Sequence, residues 1–201
     1  MNTKAGTKAS LSLADTAVGS DSGEQSLLTE MSTRGLSALL LASDDIRAVV
    51  TRWSGSHDIG DLSFERATGA FSQNITSESL DELALSRGES LAYFRIDLVN
   101  SGARLATLDH WFVPERVPED LSHILATAQA PLRSCLRSLP FSNRCFYVRF
   151  HDHREPEDCS ILFEHYLVTY ELITRRPVAI SQDRYFRSLL AGRDRRWLHA
   201  S

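Results

Sequence analysis

Residue 95 is an arginine in the middle of a segment, residues 91–99, that is otherwise rich in apolar and aromatic strand formers. Because side chains alternate between the two faces of a strand, Arg95 points away from its two apolar neighbours and shares a face with Tyr93 and Asp97. It is therefore either a solvent-facing residue, as most arginines are, or a cation that points into a cavity and binds an acid. The functional interpretation of the chain depends on this choice.

Other residues that could bind a metal or attack a substrate occur in less informative surroundings. Residues 151–153, His-Asp-His, have the alternation of a two-histidine metal site, but further ligands at a convincing spacing are missing, which favours a solvated loop. Cys135 could be a nucleophile with His123 or His165 as its base, yet its place on an apolar helical stripe favours a buried structural thiol. The sequence contains no G-x-S-x-G, G-x-G-x-x-G or Walker motif, so serine-hydrolase chemistry and nucleotide cofactors have no support in the sequence.

The composition is that of an ordinary globular protein. The chain has 201 residues, a formal net charge of -4 and 42% hydrophobic residues. This charge does not suggest a nucleic-acid binder, which would normally show a basic face. The longest apolar run, near residues 36–42, is too short to span a membrane, and no secretory signal is evident. The odd set of Cys135, Cys145 and Cys159 favours reduced thiols. We expect a cytoplasmic monomer with no nucleic-acid and no membrane partner.

The element that positions Arg95 is a predicted hairpin. Residues 91–99 and 105–113 are predicted to form two strands, and the turn between them contains Gly102. Pro114 is expected to end the second strand. Further strands are predicted near residues 61–71, 145–150, 161–173 and 178–180. Helices are predicted at 77–85, at 121–128 after a helix-entry signature at 115–120, and at 132–139. The predicted fold class is α+β, with an antiparallel sheet of about six strands and flanking helices.

The amino-terminal part is predicted to be a disordered tail followed by helices. Residues 1–23 are mostly small and polar, so the domain itself is expected to cover residues 24–201. A helical pattern starts after Ser26, and Gly35 is expected to interrupt it. The acids at 44–45 favour a helix from Ile46, whereas the β-branched residues at 49–51 leave a strand open as the alternative.

Several short motifs, taken in order, resemble the chorismate pyruvate-lyase family. They are Tyr93-Phe94-Arg95, Val113-Pro114, Ala130-Pro131-Leu132, and the segment Arg-Pro-Val-Ala-Ile-Ser-Gln at 176–182. The resemblance covers about residues 26–186 and implies a small pocket enclosed by the sheet and its helices. It also implies elimination of pyruvate from chorismate to leave 4-hydroxybenzoate, without metal or cofactor. Arg95 would then bind the ring carboxylate, Leu132 and Leu28 would line the substrate site, and position 182 would supply the acid or base.

The chain departs from that pattern at two positions. Gln182 stands where the family has its catalytic glutamate, and a glutamine cannot transfer a proton at working pH. Arg133 stands where the family has a glycine beside the pocket. Glu164 or Glu171 on a neighbouring strand could replace the missing acid, whereas Asp183 points to the other face of its strand.

The leading prediction is therefore lyase-like chemistry on a small cyclic carboxylate, and the alternative is a non-catalytic protein that binds an aromatic carboxylate. Effector-binding domains of transcription regulators have a similar architecture. A DNA-binding winged helix would have to precede such a domain, and residues 1–45 are expected to be too short and too acidic to form one.

Overall fold

A single six-stranded antiparallel sheet organises the domain in a computed structural model that describes residues 21–54, 62–67, 75–127, 129–151 and 161–190. The strand order is β1-β2-β3-β6-β5-β4. The α+β class and the flanking helices confirm the predicted fold class. The elements are α1 (Asp21–Ala42), α2 (Ile46–Ser54), β1 (Leu62–Arg66), α3 (Ser77–Leu83), β2 (Ala92–Asn100), β3 (Ala103–Phe112), α4 (Glu119–Thr127), α5 (Leu132–Leu136), β4 (Phe141–Phe150), β5 (Ile161–Glu171) and β6 (Pro177–Phe186).

The predicted hairpin is present as β2 and β3, and a bulge sets its register. Next to the turn, Asn100 lies opposite Ala103, a register that would place Arg95 opposite Leu108 if it continued. A shift of one residue beyond Leu98 places Arg95 opposite Asp109 instead. Because a slip of one residue moves every later side chain to the other face, the bulge brings the Arg95 guanidinium and the Asp109 carboxylate together on one face of the sheet.

Two glycines are expected to respond in opposite ways to replacement by alanine. Gly102 has φ +78° in the β2–β3 turn, so Gly102→Ala should lower the free energy of unfolding by about 1–2 kcal/mol through backbone strain. Gly35 lies within α1, where an added Cβ would meet only a Trp53 ring atom at 3.9 Å, an ordinary contact. Gly35→Ala should therefore raise that free energy by about 0.5–1 kcal/mol. Urea unfolding measures both, and destabilisation by Gly35→Ala would contradict the observed helix.

The first two helices differ in part from the sequence expectation. Helix α1 runs without a break through Gly35, because Leu36 and Leu40 on the next turns are completely buried in the core and hold the helix together. Helix α2 forms where a strand was the alternative. Its first turn is capped by Asp45, whose Oδ1 accepts a hydrogen bond from the Ala48 amide at 2.9 Å. The predicted tail lies outside the described residues except for its last positions, which belong to α1.

One face of the sheet is covered by helices α1, α2, α4 and α5 and holds the main core. The buried side chains include Phe94, Ile96 and Leu98 of β2. The other face, here called the open face, is covered at one end by α3, whose Leu83 packs against Trp111 and Ile180. None of the helices in the described ranges is long and apolar enough to cross a lipid bilayer.

Arg116 fixes α3 against the sheet. Its side chain is buried, and one guanidinium nitrogen donates at 2.6 Å to both the Leu83 and the Pro177 carbonyl oxygens. A second nitrogen donates to the Glu89 carboxylate at 2.5 Å. This single cation therefore pairs with a carbonyl oxygen at the end of α3, where a helix leaves its last carbonyl groups without partners, and with another at the start of β6.

Candidate ligand-binding face

Polar side chains form a row across the four central strands on the open face. Arg95 of β2 lies opposite Asp109 of β3, Asp109 lies opposite Gln182 of β6, and Gln182 lies opposite Tyr166 of β5. Directly opposed residues of antiparallel strands share a face, so the strand register alone assembles this row. With their neighbours on the same face they form the open-face cluster, which consists of Tyr93, Arg95, Asp109, Glu164, Tyr166, Gln182 and Arg184.

Asp109 is the centre of one half of the cluster. Its Oδ1 accepts hydrogen bonds from the Tyr93 hydroxyl at 2.5 Å and from Arg95 Nε at 2.6 Å, and its Oδ2 accepts one from Arg184. Burial by itself would raise the pKa of the Asp109 carboxyl. The hydrogen bonds from Arg95 and Tyr93 and the charge of Arg184 outweigh burial, so its pKa is lowered and the carboxylate is ionised at neutral pH.

Glu164 is the centre of the other half. Gln182 Nε2 donates to Glu164 Oε2 at 2.6 Å, the Tyr166 hydroxyl donates to the same oxygen at 3.0 Å, and His151 Nε2 lies 2.7 Å from Oε1. Burial raises the pKa of Glu164, but these three hydrogen bonds outweigh it and the pKa is lowered. An ionised carboxylate with both oxygens occupied is poorly placed to deliver a proton, and the Gln182 amide cannot deliver one.

The exposed charges of the cluster favour an anionic ligand. Two guanidinium groups share the buried carboxylate of Asp109, and the other carboxylate of the cluster, Glu164, is buried as well. Asp109 is only 1% exposed, whereas Arg95 and Arg184 are 18% and 28% exposed, so the cations are the groups that a ligand can reach. Arg184 Nε itself is shielded from solvent and has no hydrogen-bond partner within the described part of the chain. A ligand carboxylate would therefore meet the terminal guanidinium nitrogens, whose geometry matches a planar carboxylate.

Aromatic side chains surround the charged groups. Tyr93 packs on Trp111 with ring centroids 5.3 Å apart, and Tyr147 stacks on Tyr166 at 4.0 Å. A separate shallow groove of about 500 Å³ lies nearer the hairpin turn, where Asp97 and Arg104 line it, and no residue of the open-face cluster lines this groove. The surface beside the two arginines thus offers ring faces on which a flat apolar group can pack.

The predicted site residues fall into two groups. Arg95 and Gln182 lie in the same row, on either side of Asp109. Leu132 lies on the other side of the sheet, at the start of α5, where its amide donates to His110 Nε2 at 3.4 Å. Leu28 belongs to α1, but its side chain lies outside the described residues. The structure thus assembles part of the predicted set, and the roles of these residues stay a prediction.

The two glutamates considered as replacement acids are placed differently. Glu164 contacts Gln182 directly, whereas Glu171 lies at the end of β5 and accepts a hydrogen bond from Thr174 in the turn. Asp109 and Arg184 were not singled out from the sequence. The signal that could have found them is strand alternation, because each lies on the same face of its strand as a polar neighbour two residues away.

The other candidate motifs have structural partners. His151 contacts Glu164, and Asp152 and His153 lie outside the described residues. Cys135 is half-buried, with its Sγ 3.8 Å from the Ala130 carbonyl oxygen, and burial raises the pKa of its thiol. Within the ranges that the structure describes, no three His, Cys, Asp or Glu side chains are grouped so that they could hold a metal ion.

No protein-family model and no curated protein matches the chain. Among solved structures, the effector domain of PhnF from Mycobacterium smegmatis is 16% identical with a TM-score of 0.43, over 69% of this chain and 88% of that one. The C-terminal domain of the histidine utilization repressor from Pseudomonas syringae is 15% identical with a TM-score of 0.41, over 65% of this chain and 90% of that one. The chain spans 60% of the longer PhnF chain, with 17% identity and a TM-score of 0.43 over 63% of its own length.

These comparisons correct the family prediction. Several of the similar structures are named as transcriptional regulators or repressors, two of them of the GntR family, so the assignment to the chorismate pyruvate-lyases is wrong. The predicted elimination of pyruvate from chorismate to give 4-hydroxybenzoate is wrong with it. The expectation of no nucleic-acid partner is contradicted by the same names. The motifs behind these predictions are short, and a shared fold does not imply a shared function.

Proposed function

We propose that this domain binds a small molecule bearing a carboxylate on the open face of its sheet and does not convert it. The observation that carries the proposal is the sharing of one buried carboxylate, Asp109, between the guanidinium groups of Arg95 and Arg184. Asp109 orients both cations, and the two arginines are more exposed than the carboxylates of the cluster. A ligand carboxylate in front of the two arginines would accept charge-assisted hydrogen bonds from their guanidinium groups.

The amide of Gln182 and the ionised, hydrogen-bonded carboxylates of Asp109 and Glu164 support binding rather than catalysis. Gln182 can donate and accept hydrogen bonds, and its amide nitrogen already bonds Glu164 and Tyr166. It can therefore recognise a polar substituent on the ligand without changing it. A sensing role in the cytoplasm, in which ligand occupancy regulates a protein that acts on DNA, is part of this proposal and follows the names of the structural neighbours.

Benzoate tests the proposal, because it combines a carboxylate with a flat ring, and benzamide is the uncharged probe of the same shape. We expect calorimetry to show binding of benzoate and at least tenfold weaker binding of benzamide. Arg184→Gln should weaken benzoate binding by about 10- to 100-fold, the loss of one charge-assisted hydrogen bond of about 1.5–3 kcal/mol.

Arg104→Gln is the matched control, because it removes the same charge from an exposed arginine of the same sheet. It should leave benzoate affinity within twofold of the wild-type value. If Arg184→Gln and Arg104→Gln weaken binding equally, the effect is one of general charge and the proposed site is wrong.

A further inference from the structure

The helix-covered face of the sheet holds a second polar cluster, which is completely buried. Ser37 Oγ of α1 lies 2.8 Å from His165 Nε2 of β5. Asp183 of β6 lies directly opposite His165, and its Oδ2 accepts a hydrogen bond at 3.1 Å from Arg133 of α5. The hydroxyl of Tyr185 lies 3.5 Å from the same oxygen. These side chains connect two helices through two neighbouring strands.

Two atoms of this cluster have no hydrogen-bond partner among the described residues. They are His165 Nδ1 and Asp183 Oδ1, and both are completely shielded from solvent. A buried polar atom without a partner costs about 1–3 kcal/mol. Two such atoms on directly opposed residues of the same face indicate that one molecule satisfies both, because paired buried groups of this kind commonly hold an internal water.

A catalytic interpretation of the same residues does not agree with their burial. A serine hydroxyl that is hydrogen-bonded to a histidine, with an aspartate nearby, is the combination of residues that acts as nucleophile, base and orienting acid in serine hydrolases. Ser37, His165 and Asp183 are 3%, 0% and 1% exposed, so a substrate cannot reach the hydroxyl. Asp183 is, in addition, engaged by the Arg133 cation. The cluster is a set of structural contacts.

We propose that an internal water molecule binds between His165 Nδ1 and Asp183 Oδ1 and completes a hydrogen-bonded chain from Ser37 to Arg133. The Ser37 hydroxyl donates to His165 Nε2, so the histidine proton is on Nδ1. The Nδ1–H group donates to the water, and the water donates to Asp183 Oδ1. The chain ties α1 to α5 through β5 and β6, and it is independent of the ligand site on the open face.

A high-resolution crystal structure and the ¹⁵N spectrum of the histidine side chains test the proposal on the full wild-type chain. We expect one ordered water within hydrogen-bonding distance of both atoms, and a ¹⁵N pattern that places the His165 proton on Nδ1. A direct bond between His165 Nδ1 and Asp183 Oδ1 without a water would overturn the proposal. A proton on Nε2 would overturn the donor order that it assigns.

The link to α1 is tested by Ser37→Ala against a matched control, Thr33→Ala. Both remove a buried hydroxyl from the same helix, but the Thr33 hydroxyl bonds only the Thr29 carbonyl of α1 itself. We expect Ser37→Ala to accelerate amide hydrogen exchange in α1 several-fold more than Thr33→Ala does. Equal acceleration in the two variants would overturn the assigned link.

Discussion

Acidification from pH 7 to pH 4 is expected to destabilise the domain strongly, because two histidines are buried in their neutral form. Burial lowers the pKa of His110 and of His165 from 6.5 to about 3. The unfolded chain therefore takes up a proton at each site below about pH 6.5, while the folded chain does not. The stability that each site contributes is present above that pH and is lost as the pH falls toward 3, on the order of 3 kcal/mol per histidine by pH 4.

Protonation of Asp183 partly offsets the loss of stability on acidification. Burial raises its pKa from 3.8 to about 6, against the charge and hydrogen bond of Arg133, which lower it. The folded chain thus binds a proton at Asp183 below about pH 6 that the unfolded chain binds only near 3.8. This contribution to stability is lost as the pH rises through 6. Two histidine protons outweigh one aspartate proton, so the net free energy of unfolding still falls with acidification.

Urea unfolding at pH 7 and pH 4 measures this prediction in the wild type and in two variants. The Asn amide nitrogen can donate to Ser181 near the position of His110 Nδ1, so His110→Asn preserves that contact. The Gln amide oxygen can accept from Ser37 near the position of His165 Nε2, so His165→Gln preserves that contact. Each variant is expected to lose less stability between the two pH values than the wild type. His123→Gln, at an exposed position of α4, is the control and should show the wild-type loss. An equal loss in all four proteins would contradict the prediction.

Arg133→Met is expected to destabilise the domain by about 3–5 kcal/mol, because it leaves the buried Asp183 carboxylate without its cation. The Arg133 side chain also donates to the Leu40 and Ser43 carbonyl oxygens, at 2.9 and 3.2 Å, where α1 ends. Arg133 therefore neutralises a charge in the core and also satisfies a helix end. Arg133→Gly, which would restore the glycine of the lyase pattern, should be at least as destabilising.

A double variant and a variant of a surface ion pair test whether the buried charge of Asp183 causes the destabilisation by Arg133→Met. Arg133→Met combined with Asp183→Leu removes both charges and should recover part of the lost stability, because no isolated carboxylate remains in the core. Arg34 and Glu30 form an exposed ion pair on α1, with side chains 61% and 53% exposed. Arg34→Gln should cost less than about 1 kcal/mol. Thermal and urea unfolding measure all three variants, and a double variant no more stable than Arg133→Met would contradict this explanation.

The sequence by itself determined the local structure and the faces of the central strands. Turn residues around Gly102 and the strand formers on either side predicted the β2–β3 hairpin, because these preferences act over a few residues. Strand alternation placed Arg95 on one face with Tyr93 and placed Gln182 and Asp183 on opposite faces, as the structure shows. The α+β class followed from the order of such segments.

Only the tertiary structure decided which of these side chains meet. The bulge after Leu98 moves Asp109 opposite Arg95, in the place that the turn alone would give to Leu108. The position of β6 between β3 and β5 then brings Arg184 to Asp109 from about 75 residues away in the chain. Burial of the large apolar residues on the helix-covered face selects this register, because a slip of one residue would expose that core. The short motifs that resembled those of a lyase do not contain this information, whereas the assembled row supports binding of an anion.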